Sequence, residues 1–139
     1  MNLHTAAIHE AGHTVVALVL GRRVKRAVAF PDGTGNVRYE GRKRPFRNAV
    51  DAQILLAGTE AEDLARCSTD ACEKDARQYD KVLANLAQTS EEQAKVDKRL
   101  RRETRKLLRK NWAAVKRIAE GLEERNFLHR AELWELYDQ

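Results

Sequence analysis

Residues 8–17 of the chain read IHEAGHTVVA, and the interpretation of the remaining sequence starts from this stretch. It contains the pattern His-Glu-x-x-His, formed by His9, Glu10 and His13, inside an otherwise apolar segment. In a helix, His9 and His13 lie one turn apart on the same face, where both imidazoles can bind one metal ion. Without an ion, two imidazoles and a carboxylate would occupy a face rich in Ala, Ile and Val, which is an unfavourable place for unpaired polar groups.

A zinc ion accounts for this arrangement of residues. Zinc accepts imidazole nitrogen and carboxylate oxygen in a tetrahedral site, and a catalytic site leaves one position for water. Glu10 is turned by about 100° from His9 around the helix, so we expect it to lie beside that water as a general base and not as a ligand. The sequence therefore predicts Zn²⁺ as the cofactor, His9 and His13 as metal ligands and Glu10 as the catalytic residue. A third ligand must come from a separate element, and a carboxylate is chemically suitable.

The composition indicates a single helix-rich domain over residues 1–139. A content of 42% hydrophobic and 34% charged residues suits a soluble protein, and only two prolines and seven glycines argue against both disorder and a turn-dense β architecture. The apolar run at 14–20 is too short to cross a bilayer, and no signal-like segment follows Met1. We expect a cytoplasmic protein without membrane association, in which Cys67 and Cys72 stay reduced and inert.

The periodicity predicts a mainly α-helical fold with one small β-hairpin beside the metal-binding helix. The first helix is expected from Leu3 to Leu20, with Asn2 as its cap and Gly21 as its stop. Strands at 24–30 and 36–39 follow, joined by a turn rich in Pro, Asp and Gly. Because two strands alone are marginally stable, we expect the hairpin to pack on the first helix. Its free edge would then pass the metal, where an extended peptide could add as a further strand.

Four further helices are expected downstream of the hairpin. The second helix spans about 48–64 and is interrupted by the small and acidic residues 58–62. The third helix spans about 70–86. The fourth is one long helix over 91–124 with its apolar residues on one side, and a short helix over 127–137 folds back at the end of the chain.

The stretch His9-Glu10-Ala11-Gly12-His13, followed by Thr-Val-Val-Ala, resembles the active-site helix of the FtsH-type AAA metalloprotease peptidase domain. Further stretches resemble that family in the same order. Residues 24–39 resemble its strand, turn and second strand, and LLAGTEAE at 55–62 resembles its Leu-Leu-Gly-Gly-x-Ala-Ala-Glu helix. Residues 68–83 resemble its Thr-Gly-Ala-x-x-Asp helix, and residues 107–136 resemble its C-terminal tail. The resemblance covers almost the whole chain, and its specific part is the His-Glu-Ala-Gly-His helix. It implies a zincin-like helical metalloprotease domain that hydrolyses peptide bonds.

The same resemblance implies a third zinc ligand. In that family an aspartate on the later helix completes the site, and Asp75 matches its position here. Asp70 is the alternative, because the local spacing departs from the family pattern and the Gly of Thr-Gly-Ala is missing. Glu60 and Glu62 are further candidates for the zinc carboxylate, and Glu62 could instead orient a histidine through a hydrogen bond.

The sequence contains no Gly-x-x-x-x-Gly-Lys-Ser/Thr loop, so it lacks the nucleotide-binding motor of that family. We therefore expect a stand-alone peptidase domain that cleaves unfolded or flexible protein segments without ATP. The alternative function is that of a non-catalytic zinc protein that keeps the peptidase scaffold and binds a partner. An intact Glu10 favours the enzyme, because a purely structural site has no use for a base there.

The segment from Lys95 to Arg117 is strongly basic. It carries eleven Lys or Arg against Asp97 and Glu103, a net charge of +9, whereas the whole chain carries +5. An apolar stripe continues beneath these charges, which is typical of a solvated helix face. The functional alternative is a docking surface for an acidic partner or nucleic acid. Specific recognition of bases is not expected, because aromatic residues are few and no binding motif is present.

Overall fold

The computed structural model describes residues 4–41, 46–66 and 73–139. The helices in these ranges are α1 (Thr5–Val19), α2 (Ala49–Leu64), α3 (Glu73–Leu86), α4 (Ser90–Lys110), α5 (Trp112–Arg125) and α6 (Arg130–Tyr137), and the strands are β1 (Val24–Ala29), β2 (Gly35–Tyr39) and β3 (Phe127–His129). This confirms the predicted mainly α-helical fold class. Within the described ranges, no helix combines the length and the hydrophobicity needed to span a lipid bilayer. The predictions for Cys67 and Cys72 concern residues outside these ranges.

Helix α1 is the central element of the fold. All of its residues from Ala6 to Leu18 are buried, as expected for a helix that lacks a continuous polar face. The predicted cap at Asn2 is wrong, because the helix begins at Thr5 and His4 caps it: the Nδ1 atom of His4 accepts a hydrogen bond from the backbone N–H of Ala7. The helix ends before Gly21, as expected. Gly21 has a φ of +81°, which glycine adopts without steric penalty.

The predicted hairpin is present beside α1. Strands β1 and β2 are antiparallel, with Ala27 opposite Val37 and Ala29 opposite Gly35. Val24, Ala27 and Ala29 of β1 belong to the same apolar core as the buried face of α1. In the sheet order β2-β1-β3, β2 is an outer strand, so within the described residues its second edge pairs with no other strand.

A third strand was missed by the sequence analysis, which predicted helix over 127–137. Strand β3 pairs antiparallel with β1, with Val28 opposite Phe127, and α6 begins only at Arg130. Helix α5 ends at Arg125 and is capped by Asn126, which has a left-handed φ of +64° and redirects the chain into the strand. A strand of three residues is too short to give a detectable alternation in sequence.

The predicted long helix over 91–124 is in fact two helices that meet at Asn111. The backbone N–H and the side-chain amide of Asn111 both donate to the carbonyl of Leu107. Before the break, Leu100 packs in a smaller apolar cluster with residues of α2 and α3; after it, Ile118 packs in the main core with α1. Leu108, still before the break, already belongs to the main core, so the apolar stripe passes from one cluster to the other within α4. The stripe itself continues through Asn111, so its periodicity does not reveal the break.

Helix α2 is continuous, and the predicted interruption at 58–62 is wrong. It begins with a reciprocal capping box, in which the Asn48 side chain accepts from the Asp51 N–H and the Asp51 carboxylate accepts from the Asn48 N–H. Its small residues serve close packing on α1. A Cβ atom added to Gly12 would lie only 2.6 Å from the carbonyl oxygen of Ala57 and 2.6 Å from the Cβ of Ala61. Gly12 is therefore what allows α1 and α2 to approach so closely.

We expect Gly12→Ala to lower the free energy of unfolding by ~1–3 kcal/mol, because its new methyl group would overlap the α2 backbone. Gly121→Ala is the matched control, also inside a helix, where the methyl group would meet the flexible ends of Leu128 and Leu136. The control should change stability by less than ~1 kcal/mol, since alanine improves helix propensity by a similar amount. Urea denaturation of the metal-free proteins measures both. Equal losses would contradict the tight crossing of α1 and α2.

Candidate metal centre

Side chains from α1 and α3 converge at the crossing with α2. The Nε2 atoms of His9 and His13 are 3.0 Å apart. The Oδ2 atom of Asp75 lies 3.1 Å from Nε2 of His9 and 3.0 Å from Nε2 of His13. The fold therefore brings together three atoms that can each bind a metal, although Asp75 is separated from the histidines by 66 and 62 positions in the chain.

Helix α2 determines which nitrogen of each imidazole carries a proton. Nδ1 of His13 lies 2.6 Å from the carbonyl oxygen of Ile54, and Nδ1 of His9 lies 2.9 Å from Oε1 of Glu62. A carbonyl and a carboxylate oxygen only accept, so both Nδ1 atoms donate. In the neutral imidazoles both Nε2 atoms therefore present lone pairs, and these lone pairs face each other and an aspartate oxygen. Such a triad of acceptors is stable only with positive charge between them: in the metal-free protein this is a proton on Nε2 that is donated to Asp75, and a bound cation would take its place.

The charges around the triad have the same consequence. Glu10, Glu62 and Asp75 surround two imidazoles in a largely buried site. Burial disfavours an imidazolium at His9, but its hydrogen bonds to Asp75 and Glu62 outweigh burial and raise the pKa of His9 to about 10. Burial also disfavours ionised Asp75, yet the hydrogen bonds from His13 and His9 hold the pKa of that carboxyl well below its usual range. The site therefore attracts positive charge strongly.

The spacing of the three atoms suits a zinc ion. With Zn–N and Zn–O bonds of about 2.0–2.1 Å in a tetrahedron, ligand atoms lie roughly 3.3 Å apart. The observed separations of 3.0–3.1 Å need to open only slightly to reach that value. His9, Glu10 and His13 also form a group whose possible ligand atoms all lie within 4.8 Å of one another. The donor set of two imidazoles and carboxylate oxygen is thus compatible with metal binding, and the hydrogen bonds to Ile54 and Glu62 already orient the imidazoles for it.

Glu10 stands beside this triad. Its Oε1 atom is 4.0 Å from Nε2 of His9, farther than the oxygen of Asp75. Its other side faces β2, where a Cβ added to Gly35 would lie 2.9 Å from Cγ and 3.0 Å from Oε2 of Glu10. Gly35 therefore leaves the space that the carboxylate occupies between the imidazoles and the strand. Burial raises the pKa of Glu10, and the charges of His13 and His9 counteract only part of this effect.

The triad lies in an open cleft of about 580 Å³. One wall is formed by β2 and the turn before it, and includes Gly35, Asn36 and Val37. Tyr39, Phe46 and Leu55 contribute apolar surface. A cleft of this size admits a short segment of a polypeptide or a small molecule to the metal-binding atoms.

Gly58 was missed as a site residue by the sequence analysis, which assigned residues 58–62 to an interruption. A Cβ atom on Gly58 would lie 2.5 Å from Nε2 of His13 and 2.6 Å from Nε2 of His9. The backbone of α2 therefore forms the floor beneath both imidazoles. Small residues at 57, 58 and 61, separated by helical spacing, were the signal for this close approach.

The alternative carboxylates have different positions. Glu62 contacts Nδ1 of His9, in the orienting position that was its second predicted role. Glu60, a candidate ligand, instead points to α4, where Arg101 and Arg105 bind its carboxylate. Asp70 lies outside the described residues. Among the described carboxylates it is the oxygen of Asp75 that lies within hydrogen-bonding distance of both Nε2 atoms.

Comparison with known protein families supports the chemical interpretation of the site. A family model described as Peptidase M50B-like matches residues 1–59, a span that covers α1, the hairpin and α2 as far as Thr59. The match covers less than half of the 139 residues, and it supports a relationship to a metallopeptidase family, not specifically to an FtsH-type domain. Residues 60–139, which include Glu62 and Asp75, are outside it. No curated protein sequence matches the chain.

We expect Glu62→Ala to weaken zinc affinity by ~10–100-fold, because the His9 ring would lose the partner that fixes its orientation. Glu60→Ala is the matched control on the same helix, with similar burial. It should leave zinc affinity unchanged and lower the free energy of unfolding by ~1–3 kcal/mol, since it removes charged hydrogen bonds to α4. Competition with a chromophoric zinc chelator and urea denaturation separate the two effects. An equal fall in zinc affinity in both variants would contradict the orienting role of Glu62.

Proposed function

We propose that the protein is a zinc-dependent metallopeptidase that hydrolyses peptide bonds in unfolded or flexible protein segments. The observation that carries this proposal is the meeting of three metal-binding atoms beside the Glu10 carboxylate in an open cleft. The match to a peptidase family model over the segment that contains His9, Glu10 and His13 supports the same class of activity.

In this proposal His9, His13 and Asp75 hold the zinc ion. The ion supplies Lewis-acid chemistry, polarising the scissile carbonyl and lowering the pKa of bound water from ~15.7 towards about 7. The chain contributes the orientation of its ligands: the carbonyl of Ile54 and the carboxylate of Glu62 hold the Nε2 atoms of both imidazoles towards one point. Because these partners belong to a rigid helix, little rearrangement is needed when the ion binds.

Glu10 is the proposed general base. Hydrolysis adds water to the carbonyl carbon, breaks the C–N bond and leaves a proton to be delivered to the departing amine. Glu10 takes the proton of the attacking water and passes it to that amine, so the carboxylate ends the cycle as it began. Burial raises the pKa of Glu10 in the metal-free protein, and the positive charge of a bound zinc ion would counteract this rise.

The outer edge of β2 is the proposed docking site for the substrate. Its exposed backbone groups can pair with an extended peptide, which would add to the sheet as a further strand. Gly35 places this strand directly against Glu10, so a peptide along it would pass the triad. Only a segment that is already extended can pair in this way, and this limits the proposed substrates to unfolded chains, flexible termini and exposed linkers.

The finer assignment to an FtsH-type peptidase domain is part of the same proposal. It is supported by Asp75, the residue that the resemblance implies as third ligand, lying beside both histidines. A continuous α2 helix carrying LLAGTEAE agrees with it as well. The proposed reaction uses residues of the cleft alone and involves no ATP, in keeping with the absence of a P-loop from the sequence.

The first test concerns the ligands. We expect His9→Ala, His13→Ala and Asp75→Ala each to weaken zinc binding by more than ~100-fold, beyond the loss typical of a partner that only orients a ligand. Asp70→Ala is the control and should keep one zinc ion per chain. Metal analysis after dialysis and chelator competition measure these values. A dominant loss in Asp70→Ala would show that the wrong aspartate has been assigned.

The second test separates an enzyme from a zinc-binding scaffold without catalysis. Glu10→Gln keeps the size of the side chain and removes the base, so zinc content and fold should survive while cleavage of unfolded casein falls by ~10²–10⁴-fold. Gln93→Glu is the control. It makes the reverse exchange of amide and carboxylate on α4, outside the cleft, and this variant should cleave casein at the normal rate.

The results of this assay have distinct meanings. Equal cleavage by the parent protein and Glu10→Gln would assign the activity to another site or to a contaminant. If both proteins hold zinc and neither cleaves unfolded casein or a flexible linker peptide, the scaffold function replaces the proposed one. Cleavage of a stably folded domain at the same rate as unfolded casein would contradict docking of an extended strand.

A further inference from the structure

Eight of the nine basic residues of α4 fall into two groups with different surroundings, and the ninth, Arg99, pairs with Glu103 on the same helix. The inner group faces α2 and α3 and is paired with acids. Arg101 binds Asp97 and the buried Glu60, and Arg105 binds Glu60 and Asp63. The positive charges of this group are therefore used inside the fold, where they compensate the buried carboxylate of α2.

The outer group has no such partners. Its members share solvent exposure, and none of them forms a hydrogen bond or an ion pair with any of the described residues. We define this outer row as Lys95, Lys98, Arg102, Lys106, Arg109 and Lys110.

The spacing within the outer row is unfavourable for a helix that only faces water. Lys98, Arg102, Lys106 and Lys110 follow one another at intervals of four residues, so like charges are neighbours along one face. Each such pair destabilises a helix by about 0.2–0.5 kcal/mol. On an ordinary solvated helix face, acidic residues lie between the basic ones. Asp97 and Arg101 form such a pair on the inner side. The outer row thus retains a repulsion that a polyanion would relieve.

The remaining surface of α4 is unsuited to three kinds of partner. Leu100, Thr104 and Leu108 are buried in the protein, so the apolar face of the helix is unavailable for insertion into a bilayer. The helix contains no aromatic residue, whereas single-stranded nucleic acid is bound by aromatic side chains on which bases stack. Protein interfaces likewise depend on buried aromatic or apolar anchors, which the outer row lacks.

We propose that the outer row of α4 binds the phosphate backbone of duplex nucleic acid without sequence specificity. From Lys95 to Lys110 the row extends about 22 Å along the helix, at about 1.5 Å per residue. Each strand of a duplex presents one phosphate per ~3.4 Å of the duplex axis, so a row of basic side chains of this length can face successive phosphates of one strand. Outside 95–117 the chain is net acidic, although residues 22–47 form a second basic segment with nine Lys or Arg against Asp32 and Glu40.

This surface is separate from the candidate metal centre. Among the described residues that line the cleft, none belongs to α4. A duplex bound along the outer row would leave the cleft open, and the inner arginines would keep their contacts with α2. Docking and peptide hydrolysis are therefore independent functions of the chain, and either can be tested without the other.

The experiment measures binding of a fluorescein-labelled 24-base-pair DNA duplex of arbitrary sequence by anisotropy between 50 and 300 mM NaCl. Six phosphate contacts predict a slope of log K against log [salt] of about −5. Lys98→Gln, Arg102→Gln and Lys106→Gln combined should reduce the slope to about −3 and weaken binding by ~100-fold or more at 100 mM salt. The control combines Arg23→Gln, Lys25→Gln and Lys81→Gln, which remove three exposed basic side chains outside α4, and it should retain the parent slope.

Three results would overturn the proposal. The first is that the parent protein does not bind the duplex at 50 mM NaCl, or that added salt does not weaken its binding. The second is an equal loss in both triple variants, which would mean that total charge and not the outer row is responsible. The third is displacement of the duplex by polyglutamate as effectively as by unlabelled duplex at equal charge, which would assign the row to acidic proteins. Circular dichroism and zinc content of both variants should match the parent, so that unfolding is not mistaken for lost docking.

Discussion

The close crossing of α1 and α2 is the contact on which the rest of the structure depends. Gly12 on one helix and Gly58 on the other remove the side chains that would hold the two backbones apart. As a result, the carbonyl of Ile54 and the carboxylate of Glu62 reach the imidazoles of α1 directly. A wider crossing would leave both Nδ1 atoms without partners and both rings free to turn. Tight packing therefore provides, through the same two helices, both the centre of the core and the orientation of the site.

Helix α2 also distributes the negative charge that such packing buries. Glu60 and Glu62 are both buried, and they point to opposite partners: Glu62 to His9, and Glu60 to Arg101 and Arg105 of α4. The carboxylate of Glu62 adds to the negative potential that attracts a cation, whereas the carboxylate of Glu60 is neutralised by the two arginines. A buried carboxylate without a partner would be strongly destabilising, so each acid needs its own compensation. This division explains why α4 must be basic on its inner side whatever its outer side does.

The parts that could be predicted from the sequence are those set by local chemistry. The helical spacing of His9 and His13 and the turn before Gly35 are each contained within a few residues, and the corresponding helix and hairpin were predicted. The second helix was predicted as well, but the capping box that starts it at Asn48 was not. Strand β3 and the break at Asn111 depend on pairing and packing with distant elements, so no local pattern indicated them. The approach of Asp75 to the histidines is likewise a product of the tertiary fold, and only the family resemblance singled out that aspartate before the structure did.

The inner group and the outer row of basic residues on α4 show why the charge of a helix cannot be interpreted from its sequence alone. The segment looks uniformly basic, yet Arg101 and Arg105 are held by Glu60 and Asp63 of α2, so their charges are compensated within the protein. Lys98, Arg102 and Lys106 have no such compensation, so the external potential arises from them. Substitution of an inner arginine and of an outer lysine should therefore have different effects. Loss of an inner arginine leaves a buried carboxylate without its partner, whereas loss of an outer lysine relieves repulsion between neighbouring charges. Stability and docking are thus separable on one helix, since each depends on a different face.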